Sequence, residues 1–177
     1  LDKNIAFFKN QKNIDHHISI LEHILANINQ SKNTYVELLN EPQCENVELL
    51  NQFYKHAINR IREKGYKNNL VIESNLAGAA DTFYHLEEFF DYDDITFSFH
   101  FYGPIKFTHR KAYWTDEGSE NILYFPYMDN DTTFNELFLL EKLKPVIDFA
   151  GKTDEHVFCG EFGVCAGSAA RFKIEVD

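Results

Sequence analysis

Four short apolar segments, each preceded by a stretch with helical periodicity, constrain this 177-residue chain more than any other feature. The segments are Thr34 to Asn40 (TYVELLN), Leu70 to Ser74 (LVIES), Ile95 to Tyr102 (ITFSFHFY) and His156 to Phe162 (HVFCGEF). Between them, apolar residues recur at three- and four-residue spacing over His16–Asn29, Val47–Lys64, Asp81–Phe90 and Asn135–Gly151, which predicts helices there. Strands joined by crossovers too long for hairpins pair in parallel. A parallel α/β sheet follows, and periodicity alone leaves open whether it closes into an eight-stranded barrel or stays open and doubly wound. Gly65 and Gly151 stand where helix C-caps are expected. Pro145 should kink or split the last helix. The stretch Gly103 to Thr133 reads as one long irregular loop, a length that usually serves function.

Alternation along TYVELLNEP puts Tyr35, Glu37, Leu39 and Glu41 on one face, with Pro42 ending the strand. Along HVFCGEFGV it groups Val157, Cys159 and Glu161, with Gly160 allowing close backbone approach. Two carboxylates at the C-terminal ends of parallel strands stand where such folds bind ligands. Hydrolysis of a sugar acetal uses such a pair, one acid protonating the leaving oxygen and the other attacking the anomeric carbon. A separation of about 5 to 5.5 Å gives a covalent intermediate and retained configuration. The plainer alternative is two unrelated acids. In ITFSFHFY, Phe97, Phe99 and Phe101 should pack on helices while Ser98, His100 and Tyr102 face a polar interior. Trp114 offers an indole face for a pyranose ring or, equally, for the core. His16, His17 and His23 lack the spacing of a helical zinc motif and read as a solvated helix face.

A net charge of −11 argues against nucleic acid as a partner, because phosphate binding depends on Lys and Arg. No apolar run reaches the roughly 18 residues of a membrane span. Cys44, Cys159 and Cys165 match no zinc pattern and read as buried thiols outside any disulfide.

In that order, YVELLNEP, HFYGPIKFTHRKAYW and VFCGEFGV resemble glycoside hydrolase family 5, the cellulase-like (β/α)8 enzymes of clan A. The resemblance implies a TIM barrel of which residues 1–177 supply strands four to seven, a partial catalytic domain truncated at both ends. It makes Glu41 the acid/base and Glu161 the nucleophile of a retaining endo-β-1,4-glucanase. Asn40 would bond the sugar 2-hydroxyl, while His100 and Tyr102 line the cleft and Tyr102 helps hold the nucleophile. No metal or organic cofactor is implied. The implied partner is a β-linked polysaccharide or oligosaccharide, and the implied full-length protein is a monomer, secreted or periplasmic. FTHRKAYW leans toward endoglucanases. A β-mannanase or another β-glycanase of the family is the alternative, and a non-catalytic carbohydrate-binding barrel is the alternative of another class. An open α/β protein would be expected to carry a glycine-rich phosphate loop, and neither GxGxxG nor GxxxxGK[ST] occurs. The family's earlier arginine and histidine and its later tryptophan have no counterparts here. With half a barrel and two unpaired strand edges, the chain alone is expected to be inactive and unstable or self-associating.

Overall fold

The computed structural model describes residues 6–31, 33–109, 112 and 125–165. It divides into two compact units, the first made of 1–100 with 145–160 and the second of 101–144 with 161–177.

The first unit is built on a sheet in the order β1 (Tyr35–Glu37), β2 (Asn69–Glu73), β3 (Ile95–Phe101), β6 (Val157–Phe162). The β1–β2 and β2–β3 pairs are parallel, with Val36 opposite Leu70 and Glu73 opposite Ser98. Helix α1 (Gln11–Asn27) starts five residues before the apolar pattern predicts, because the Asn10 side chain caps it by accepting the Lys12 N–H. Helix α2 (Val47–Glu63) is capped by Asn46. It buries Leu50, Phe53, Tyr54, Ala57, Ile58 and Ile61, one face at helical spacing. Gly65 follows it at φ +84°, as expected of a left-handed cap, and its N–H bonds Arg62 O. Gly151 does not adopt that conformation.

The third predicted helix is a 3₁₀ helix, Ala80–Phe89. Its buried apolar residues Ala80, Phe83, Leu86 and Phe89 recur every three positions, the period of a 3₁₀ turn rather than of an α-helix. Helix α3 (Glu136–Ala150) contains Pro145 without being split. It delivers Phe149 into the core, with ring centroids 4.5 Å from Phe83 and 4.9 Å from both Phe90 and Phe97. Phe97 and Phe99 thus pack among aromatic rings, as alternation predicts. No described helix is long and apolar enough to cross a membrane.

In the second unit, the expected irregular stretch contains a hairpin, β4 (Tyr127–Asp129) antiparallel to β5 (Thr132–Phe134). Its turn places Asn130 at φ +50°, a conformation asparagine tolerates better than most residues. The Tyr127 and Phe134 rings stack at 4.6 Å.

Candidate active site

β1 stops at Glu37, so alternation does not carry through to Glu41. Leu38 N–H still bonds Val71 O, and the chain then leaves the sheet. Glu41 lies four residues beyond the strand at φ +48°, in the left-handed region that disfavours side chains. Hydrogen bonds from β2 and the turn after it hold this loop. The Glu41 N–H donates to Glu73 Oε2 at 2.6 Å, and Ala77 N–H donates to Pro42 O at 3.0 Å. Asn75 brackets Cys44, accepting its N–H at 2.9 Å and donating to its carbonyl at 2.7 Å.

His85 in turn fixes Asn75. Its Nε2 accepts the Asn75 N–H at 3.2 Å, which leaves Nδ1 as the donor to Asn51 Oδ1 at 2.7 Å. Burial presses the His85 pKa down from 6.5 to about 4, with only Glu88 pulling upward. A charged imidazole would lose its acceptor toward Asn75, so the neutral ring belongs to this clamp.

His100, the last residue of β3 in this unit, reaches Glu41. Its Nδ1 is 3.1 Å from Glu41 Oε1 and 3.3 Å from Glu73 Oε1, with the ring buried and Glu41 partly exposed. Gly160 of β6 makes room for it. A Cβ there would stand 2.9 Å from Ser98 Oγ and 3.2 Å from His100 Nε2, so the close approach expected of this glycine is toward β3. Asn40 is exposed and shares with Glu41, His17, Phe7 and Phe8 the wall of a cavity of about 280 Å³. His17 is no merely solvated residue. Its Nε2 lies 2.8 Å from Leu38 O and its ring is edge-on to Phe7, whereas His16 and His23 are exposed as expected.

The second unit holds the other predicted pair. Tyr102 O–H donates to Glu161 Oε2 at 2.9 Å, and both are partly buried. Thr108 Oγ1 donates to the Tyr102 carbonyl at 2.5 Å, and His109 stands edge-on to the Tyr102 ring at 5.1 Å. Cys165 N–H closes onto Thr108 O at 2.8 Å, fastening the chain just after Glu161. Of the three cysteines only Cys44 is buried, and burial pushes its thiol pKa up. Cys159 and Cys165 are half-buried, contrary to expectation. Trp114 lies outside the described residues.

The structure pairs Glu41 with His100 and Tyr102 with Glu161, four residues that the sequence pattern singles out. Sequence reasoning missed Glu73, Asn75 and His85. For Glu73 a signal existed, since a carboxylate closing the apolar run LVIE has nowhere to go but inward.

A model of the cellulase family, glycosyl hydrolase family 5, matches residues 2–175. Endoglucanase C of Acetivibrio thermocellus is 32% identical over 160 residues, 78% of this chain and 46% of the relative. Cellodextrinase A of Ruminococcus flavefaciens is 30% identical over 163 residues, 90% of this chain and 47% of the relative. The chain therefore spans about half the length of the curated relatives it matches. Among solved structures, Thermotoga maritima Cel5A in complex with mannotriose aligns with a TM-score of 0.74 at 21% identity, over 92% of this chain and 52% of that one. The fold is accordingly that of a (β/α)8 barrel, about half of which is present. With its family model matched almost end to end, this chain belongs to glycosyl hydrolase family 5.

Proposed function

We propose that residues 1–177 are part of a single catalytic domain that hydrolyses β-1,4-linked glucan internally, with retention of configuration. The observation that carries this reading is that each glutamate of the NEP and GEF motifs has its own polar partner, His100 for Glu41 and Tyr102 for Glu161.

In the first step Glu41 gives its proton to the glycosidic oxygen as a Glu161 carboxylate oxygen attacks the anomeric carbon. The bond to the leaving sugar breaks, and a glycosyl ester forms on Glu161. Glu41, now ionised, takes a proton from water, whose oxygen displaces Glu161 and restores the starting configuration. Tyr102 O–H supports the ionised nucleophile by donating to Oε2. By family membership Asn40 would bond the sugar 2-hydroxyl. The segment FTHRKAYW favours glucan over mannan. The mannotriose complex of Cel5A makes β-mannan the second substrate to assay.

The decisive experiment uses the full-length gene product on a soluble β-1,4-glucan. Glu161→Ala should abolish turnover, and azide should restore cleavage with a glycosyl azide of inverted configuration. An unchanged rate in Glu161→Ala removes Glu161 as nucleophile.

A further inference from the structure

β2 ends on a glutamate that no motif singles out. Glu73 is 0% exposed and its two oxygens face two different groups. Oε2 accepts the Glu41 backbone N–H at 2.6 Å, and Oε1 lies 3.3 Å from His100 Nδ1, the atom that also lies 3.1 Å from Glu41 Oε1. Its own backbone is locked by a buried tyrosine. Tyr54 O–H donates to the Glu73 carbonyl at 2.8 Å and accepts the Glu73 N–H at 3.3 Å. Space for the carboxylate is kept by Gly78 at φ +72°, where a Cβ would overlap Oε1 and stand 2.8 Å from the His100 N.

An apolar side chain would complete LVIE more cheaply than a buried carboxylate, which is tolerated only when well paired. The pairing here runs to the two features that aim Glu41. One is its backbone, held at φ +48° where L-residues are disfavoured, and such conformations persist only when neighbours over-determine them. The other is the imidazole beside its carboxyl group. With a carboxylate oxygen of Glu41 and another of Glu73 both facing Nδ1, the proton of His100 belongs on Nδ1.

We infer that Glu73 is a positioning residue for the acid/base. It fastens the Glu41 backbone and holds the His100 Nδ1–H toward the Glu41 carboxyl group. The inference rests on the glycosidase reading of Glu41.

Leaving-group dependence in the full-length enzyme tests it. A sugar leaving group needs the proton from Glu41, whereas dinitrophenolate departs without one. Glu73→Gln keeps the volume and an acceptor for the Glu41 N–H but presents an amide to His100. We expect kcat/KM for cellotetraose to fall about 10- to 100-fold, within the range that general acid catalysis supplies. For dinitrophenyl β-cellobioside it should fall less than about 3-fold, because that cleavage draws little on the acid. Gly78→Ala, which crowds Oε1 without removing the carboxylate, should show the same pattern. Equal losses on both substrates, or no loss on either, overturn the inference, as does failure of both variants to fold, which would make Glu73 a structural residue. A wild-type enzyme that cleaves neither substrate refutes the glycosidase reading itself.

Discussion

Acid should loosen the loop that carries Glu41 before it disturbs the rest of the molecule, and His85 sets the pH at which this begins. The folded-state pKa of about 4 lies below the ordinary 6.5. As pH falls through 6.5 the unfolded chain binds a proton that the folded chain refuses, so the unfolded state holds more protons and stability declines with falling pH. Above pH 6.5 the contribution is fully present, and by about pH 4 it is gone. At about 1.4 kcal/mol per pH unit, the displacement amounts to about 3 kcal/mol. That is a large part of the roughly 5–15 kcal/mol that holds a typical domain together. Lowered carboxylates enter only at the acid end of this window, and the comparison with a variant at His85 separates their share. Glu88, bonded by Lys55, and Glu22, where burial pulls upward but Lys64 and Arg60 prevail, lose their contributions only at more acid pH, below the ordinary 4.5. The assay is urea unfolding of the full-length protein from pH 7.5 to pH 4, compared with His85→Gln, which retains a donor and an acceptor but does not titrate. Wild type should lose about 3 kcal/mol more than the variant across that interval. Parallel curves would refute the reasoning.

Three further outcomes are expected. Tyr102→Phe removes a hydrogen bond to a carboxylate, worth about 1.5–3 kcal/mol, so kcat on soluble glucan should fall about 10- to 100-fold, and an unchanged kcat would exclude the role given to Tyr102. Phe149→Ala opens the space between Phe83, Phe90 and Phe97 and should cost about 3–5 kcal/mol in denaturant titration; a loss below about 1 kcal/mol would show that this aromatic cluster is not a keystone of the core. Gly160→Ala drives a methyl against Ser98 and His100, and the resulting shift of the imidazole should lower kcat/KM by about 100-fold, with His100 visibly displaced in a structure of the variant.

What was legible in the sequence was whatever local periodicity determines. β3, buried along nearly its whole length, and β6, with Val157, Cys159 and Glu161 on its less exposed side, follow strict alternation and were located within a residue. Illegible parts depend on contacts distant in the chain. The TYVELLN pattern extends three residues past the strand it describes, because Glu41 answers to Glu73, thirty-two residues away, rather than to its own neighbours. His85 and Asn75 were invisible for the same reason, since an isolated histidine in a helical pattern carries no mark of the amide it will accept. The 3₁₀ segment was readable in principle, because Ala80, Phe83, Leu86 and Phe89 keep a period of three. A pattern of mixed three- and four-residue spacing does not by itself separate a 3₁₀ turn from an α-helix.

The left-handed backbone of Glu41 also bears on how this protein would respond to selection for robustness. Glycine accepts that conformation without the roughly 1–2 kcal/mol that a Cβ adds. A screen that rewards only heat resistance should therefore tolerate Glu41→Gly and could even enrich it, while deleting the carboxylate proposed to move the proton. Thermal tolerance and turnover are set against each other at this one residue, and any programme to harden the fold would have to score both.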